Sequence, residues 1–385
     1  MAKLICSKCM EVFLRHQQQC AGCGQACYDF TNDDAFLRAE AARVDEARTA
    51  AGLDDRVGGL SHIIINVEPD HLKSAVAELL AFTGLDFMAA FEDDDGVTCV
   101  LATEGSADVL LRCRKSATPF ESGRPFSRAR HLPTTRLETF VFEVGDLEAY
   151  VSIQKDRGVH FLTDGIVTAD GYAFIQTIPS SFTGLSTGFV QWAGRARDHA
   201  PAGSVRLPWT FEKPDRAHLR HIKELDHAAT RLEARDRDSA IIEFMNLTNY
   251  DFDFSVYVKS FNSITNVARL TDHGFAMVFT SGIHPFVDEA SAGPTEKFVH
   301  NYGRRVHHLA FRAENIEATY EALKADGMEF LLELVGSEGE GLKQTFSTPS
   351  PHTLLVNEYI HRYGDFDGFF TKSNVTMLTA ATDNQ

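Results

Sequence analysis

The sequence predicts an α+β fold. Two tandem copies of one unit, each made of two strand–helix–strands modules, follow a small cysteine-rich ribbon. Three observations predict it. Five of the seven cysteines fall within the first 27 residues. The segment SHIIINVEPDHLKSAVAELLAFTGLDF, from Ser61, aligns without a gap on LDHAATRLEARDRDSAIIEFMNLTNYDF, from Leu225, with His62 on His227 and Phe87 on Phe252. Later, RLETFVFEVGDLEAYVSIQKDRGVHFL from Arg136 aligns on RVHHLAFRAENIEATYEALKADGMEFL from Arg305, with Phe142 on Phe311, Glu148 on Glu317 and Gly158 on Gly327. Self-similarity in the same order at a fixed spacing marks a structural repeat.

The ribbon comes first. CSKC and CAGC are two C-x-x-C knuckles, each a short turn that aims two thiolates at one point. Cys6, Cys9, Cys20 and Cys23 are the natural tetrahedral set, with zinc favoured over iron by commonness alone. Cys27 could replace Cys23, and a redox-active or simply reduced cluster is the competing reading. Residues 31–52, TNDDAFLRAEAARVDEARTAAG, read as a helix capped by Asn32 or Asp33 and ended by Gly52. Pro201, Pro208 and Pro214 interrupt a polar stretch and mark a second boundary. The expected organisation is a ribbon over 1–30, a helical linker over 31–58, a first unit over 59–200, a linker over 201–220 and a second unit over 221–385.

Composition narrows the function. A formal net charge of −17 argues against nucleic acid and anionic membrane surfaces as partners. No apolar run approaches membrane-spanning length, and MAKLICSKC lacks a signal-peptide h-region, so a cytoplasmic protein is expected. The 29 Phe against 2 Trp suggest Phe-lined interiors or pockets.

The two copies differ where chemistry would sit. The second has His227, His308 and Glu358. The first has His62 and Thr139 at the first two places, and aligning TGFVQWAGR (187–195) on LLVNEYIHR (354–362) gives Gln191 at the third. Two histidines and one carboxylate suit non-haem Fe(II), with open positions left for substrate and oxygen. The trio sits on three strands and converges only if the sheet forms a cup. Within RVHHLAF, alternation places Val306, His308 and Ala310 on one face, with Arg305, His307, Leu309 and Phe311 on the other, toward the helices. His308 is therefore the candidate ligand. A lone strand histidine is more often structural than ligating; the ordered trio, present in one copy only, outweighs that.

These residues resemble the two-domain vicinal oxygen chelate superfamily, and in the second half 4-hydroxyphenylpyruvate dioxygenase and relatives such as hydroxymandelate synthase. The resemblance rests on LDH at 225–227, VHHLAF at 306–311 and the tail GLKQTFSTPSPHTLLVNEYIHRYGDFDGFFTKSNVTML at 341–378. It implies two tandem vicinal oxygen chelate modules, each from paired βαβββ units forming a cupped sheet, with a C-terminal lid helix. It implies Fe(II) held by His227, His308 and Glu358, with no catalytic residue beyond these ligands. It implies substrate contacts from Gln344, Phe346, Asn374 and Phe370. The activity implied is oxidative decarboxylation and hydroxylation of a small aromatic 2-oxo acid with O2. Homo-oligomers are typical of the family; the sequence leaves the oligomeric state open.

The sequence departs from the family at several pocket positions. Val375 replaces a phenylalanine, Thr280 of VFTSG stands where the pocket asparagine would be, a Ser-Gln pair is absent near GPTEKF, and the stretch before GLKQ is short. These changes remove partners of a hydroxyphenyl ring and leave the ligand trio intact. An extradiol catechol dioxygenase is the nearest alternative, with His352 as its acid/base candidate; a turn role beside Pro351 is the simpler reading of that residue. A non-catalytic ligand-binding protein is the alternative from another class.

Overall fold

The computed structural model describes residues 32–120, 127–194, 197–364, 366, 368–383 and 385. Before residue 32 it describes only the backbone of three short strands, β1 (Lys3–Cys6), β2 (Val12–Leu14) and β3 (Cys27–Tyr28), paired in the order β2-β1-β3. The zinc reading of Cys6, Cys9, Cys20 and Cys23 lies outside the described side chains.

Helix α1 (Asp34–Ala51) starts at Asp33, whose carboxylate accepts from the Ala35 N–H, and stops at Gly52, in the left-handed region at φ 68°. Of the two candidate caps, Asp33 does the capping. Asn32 instead donates to the carbonyls of Ala234 and Gly282, at 2.7 and 3.1 Å. Buried Arg48 pairs with Asp45 and Asp251, and fully buried Arg237 pairs with Asp34. The connecting helix is thereby fastened to the second unit.

Each unit is one mixed sheet. The first runs in the order β12 (Val205–Arg206), β5 (Asp86–Glu92), β6 (Gly96–Ala102), β7 (Asp108–Arg114), β4 (Val57–Asn66), β8 (Arg136–Val144), β11 (Ser186–Trp192), β10 (Tyr172–Gln176) and β9 (Val167–Thr168). The second repeats it as β14 (Asp251–Val258), β15 (Ser263–Arg269), β16 (Ala276–Ser281), β13 (Ile222–Arg231), β17 (Arg305–Ala313), β20 (Val356–Arg362), β19 (Leu342–Phe346) and β18 (Val335–Ser337). In both, a central antiparallel pair is flanked on each side by a parallel neighbour. Helices α2 (Leu72–Phe82), α3 (Leu147–Asp156), α4 (Arg237–Leu247) and α6 (Ile316–Ala325) pack on the backs of the sheets, and one apolar core runs through both units. Phe142 of the first sheet meets Phe244 and Tyr250 of the second unit at 5.7 and 5.3 Å between ring centroids. Tyr359 of the second sheet donates its hydroxyl to the Phe82 carbonyl at 2.7 Å.

Paired bulges curve both sheets. One residue more stands on one strand than on its partner at Ser61 and Glu138 in the first sheet, and at Asp226 and His307 in the second. A bulge bends its strand and raises the local twist. It also breaks alternation, which corrects one expectation. Val306 does not share the face of His308; it joins Leu309 and Phe311 in the helix-side core. His307 turns to the cup side, its Nδ1 2.9 Å from His308 Nδ1.

A second correction concerns register. Glu358 pairs with Ala310 across β20 and β17; the residue so placed in the first sheet is Gly188, paired with Val141. Gln191 lies three positions further on and accepts from the Leu147 N–H at 2.9 Å. TIPSSFTGLSTGF (177–189) is the true counterpart of STPSPHTLLVNEY (347–359).

Helix α5 (Pro294–Tyr302) and helix α7 (Lys372–Ala381) lie on the cup side of the second sheet; α7 starts at Thr371, whose hydroxyl accepts from the Asn374 N–H. Gly336, at φ 90°, lets α7 come close: a Cβ there would fall 2.0 Å from the Leu342 carbonyl and 2.7 Å from the Asn374 amide. The first cup is filled differently. The segment after β11 brings in His199, which bonds Asp108 at 2.8 Å and packs on His62 and Trp192, at 4.7 and 5.0 Å between centroids.

Candidate metal centre

Three neighbouring strands of the second cup each supply one group. β13 brings His227, β17 His308 and β20 Glu358. Glu358 Oε2 lies 3.2 Å from His227 Nε2 and 3.2 Å from His308 Nε2. The three potential ligand atoms lie within 4.8 Å of one another, all on buried residues.

Each group is held from behind. Asp226, turned inward by its bulge, lies 2.7 Å from His227 Nδ1. Arg362 clamps Asp226 through two hydrogen bonds, at 2.5 and 3.1 Å. Gln344 donates to Glu358 Oε1 at 2.6 Å, and Asn374 donates to Gln344 Oε1 at 3.0 Å. His307 holds His308 from the side and itself meets Gln385 Oε1 at 2.7 Å. An imidazole bonded at Nδ1 has a fixed ring orientation, with Nε2 left for a ligand.

Electrostatics follows from these contacts. Burial opposes a charge on His227, but the carboxylates of Glu358 and Asp226 outweigh it and raise its pKa to about 9. Burial, with His307, His227 and Arg231 nearby, pushes His308 well below the usual histidine range. Burial also disfavours the Asp226 carboxylate, yet hydrogen bonds from His227 and Arg362 hold its pKa far below the ordinary value.

The cavity beside the trio has a volume of about 40 Å³. That is space for very few waters. His308, Glu358, Phe346 and Phe370 line it, and Val375 and Leu378 of α7 close it. Phe346 stacks beside His308 at 4.8 Å between centroids; Phe369 and Phe370 stand 5.4 and 5.2 Å from His227. Of the four residues expected at the substrate, Phe346 and Phe370 are on the wall. Gln344 and Asn374 stand behind Glu358 instead. Two departures from the family pattern, Thr280 and Val375, also lie on the wall. His352 is off it, in a turn with Nδ1 2.9 Å from His71 Nδ1 of the first unit.

Sequence reasoning missed Arg231, Asp226 and Arg362. Arg231 had a signal: in LDHAATR, His227, Ala229 and Arg231 alternate onto one face. Asp226 had none, because strict alternation sends the neighbour of His227 to the opposite face.

No protein-family model matches the sequence, and no curated protein sequence matches it. Solved structures do. A triple mutant of 4-hydroxymandelate synthase from Streptomyces coelicolor superposes with a TM-score of 0.65 at 17% identity, over 85% of this chain and 98% of that one. The chain has the tandem vicinal oxygen chelate fold. A fusion of a xylose isomerase-like TIM barrel with 4-hydroxyphenylpyruvate dioxygenase shares this fold with a TM-score of 0.59 at 13% identity, over 91% of this chain and 58% of that one. Within the fold, and among the described residues, the candidate trio lies in the second module. Among the described residues, no helix is long and apolar enough to cross a membrane.

Proposed function

We propose that the second module binds Fe(II) through His227, His308 and Glu358, and that the protein is a dioxygenase of the 4-hydroxyphenylpyruvate dioxygenase kind. Its substrate is a small aromatic or related 2-oxo acid, oxidised with O2 by decarboxylation and hydroxylation. The observation that carries this reading is the convergence of two Nε2 atoms and one carboxylate oxygen in a single cup. The chain's likeness in fold to the two solved structures named above supports the reading.

The donor set fits the metal. Two imidazoles and one carboxylate form a facial set that leaves positions open. Bound iron would supply the Lewis acidity and redox chemistry for a chelated oxo acid and oxygen. The chain's own residues do the rest. Asp226 keeps the His227 ring turned so that Nε2 faces the site, and offsets the positive charge that would sit on Nε2 whether a proton or a metal cation is bound there. Gln344 holds Glu358 Oε1 and leaves Oε2 as the inward atom. Phe346 and Phe370 exclude water from the substrate. Entry of a substrate into a 40 Å³ space requires α7 and the Phe369–Phe370 segment to move outward.

The test is anaerobic addition of 4-hydroxyphenylpyruvate and other 2-oxo acids to the Fe(II)-loaded chain. A visible charge-transfer band is expected, and His308→Ala abolishes it. If no 2-oxo acid gives a band, the oxo-acid reading fails. Bands with catechols would then point to ring cleavage, and none with either to a binding role.

A further inference from the structure

Arg231 is the unexplained group in this cavity. It ends strand β13, is 5% exposed, and lines the same space as His308 and Glu358. One terminal nitrogen donates to the Thr382 hydroxyl at 2.8 Å, and the guanidinium stacks on Phe298 at 4.8 Å. The other terminal nitrogen, Nη1, is buried with no hydrogen-bond partner among the described residues. No carboxylate pairs with it there. A guanidinium stays charged, and leaving it buried and unpaired is costly. Ser263, Thr265, Thr280 and Thr295 line the same cavity, with the Ser263 and Thr295 hydroxyls 3.3 Å apart and the Thr280 hydroxyl donating to the Thr230 carbonyl at 3.3 Å. A buried unpaired cation in a cavity lined by hydroxyl-bearing side chains is complementary to an anion, and a planar guanidinium fits a carboxylate best.

We infer that the substrate carries a second carboxylate, and that Arg231 with this hydroxyl wall receives it while the 2-oxo acid end faces His227, His308 and Glu358. This rests on the oxo-acid reading above and narrows its substrate class to aromatic or related 2-oxo acids with a carboxylate at the far end. It also gives Thr280, which lines that wall, a role.

The experiment compares phenylpyruvate, 4-hydroxyphenylpyruvate and 4-carboxyphenylpyruvate as ligands of the anaerobic Fe(II)-loaded full chain, read by the charge-transfer band. The carboxylated ligand is expected to bind tighter by tenfold or more, on the order of what a buried polar site gains from its matching partner. Arg231→Gln removes that preference while phenylpyruvate still gives its band, and Arg231→Lys keeps part of it. If Arg231 merely pins α7, the substitutions weaken all three ligands alike. That result, or equal affinities in the unaltered chain, overturns the inference and leaves the oxo-acid reading standing. If no oxo acid gives a band, that reading fails and thermal shift by 4-ethylbenzoate decides. A stabilisation that Arg231→Gln abolishes keeps the carboxylate site; no stabilisation overturns it.

Discussion

Gln344 donates to Glu358 Oε1 at 2.6 Å, while the other oxygen of the same carboxylate lies 3.2 Å from both His227 Nε2 and His308 Nε2. One oxygen is tied to the scaffold and the other is left for the site. Because Gln344 in turn accepts from Asn374, the geometry of Glu358 is linked through β19 to helix α7. The helix that closes the cavity thus also steadies a candidate ligand.

Removing this tie should weaken the metal before it weakens the fold. In Gln344→Leu, Fe(II) affinity is expected to drop about 10- to 100-fold, the usual cost of losing a partner behind a ligand. Anaerobic Fe(II) titration measures it. An unchanged dissociation constant would mean that Gln344 serves packing alone.

Asp226 makes the corresponding contact for His227, but it also neutralises Arg362. Asp226→Asn can still accept a hydrogen bond from Nδ1 while removing the charge. Fe(II) should bind at least tenfold more weakly. The chain should also lose about 1–3 kcal/mol of stability, since Arg362 keeps only a neutral partner. Denaturant unfolding of the metal-free protein isolates the second effect, and no change in midpoint would contradict it.

Glu296 gives a pH prediction away from the metal ligands. It is 2% exposed; burial raises its pKa to about 7, against the N–H groups of Gly282 and Phe286 that lower it. The folded state therefore holds this proton more tightly than the unfolded chain, whose value is near 4.5. Its contribution to stability is full below 4.5, declines as pH rises toward 7, and is level above that. Across that window Glu296→Gln should gain on the unaltered protein by about 3 kcal/mol. Melting temperatures of both proteins at pH 4.5, 6 and 8 test this; parallel curves would refute it.

The sequence showed the repeat, the two central histidines and the carboxylate strand because each lies in a segment whose pattern survives alignment. What it hid follows from the bulges. At Asp226 and His307 the extra residue reverses alternation for one position, so His307, expected on the far face, and Asp226, which sequence reasoning missed, stand beside the candidate ligands. The comparison of β11 with β20 slipped by three residues because Gly188 carries no side chain to mark the place of Glu358. The matching Pro-Ser and Thr-x-Leu positions of 177–189 and 347–359 could have fixed it. Arg231 was legible by alternation but unread, since an arginine at a strand end is usually a solvated residue.

That slip bears on whether the first cup could be made to bind metal. Restoring the trio there requires Thr139→His and Gly188→Glu beside His62. A Cβ at Gly188 would already fall 2.9 Å from Val141 and 3.1 Å from both Phe174 and Thr139. The cup is further occupied by Trp192 and by His199 bonded to Asp108. Overpacking of this kind costs about 1–3 kcal/mol. The double variant is therefore expected to lose stability and to bind no more Fe(II) than the unaltered protein. Metal analysis of both proteins after anaerobic loading reads the difference, and one equivalent more in the variant would show that ligand identity, not the filled cup, separates the two modules.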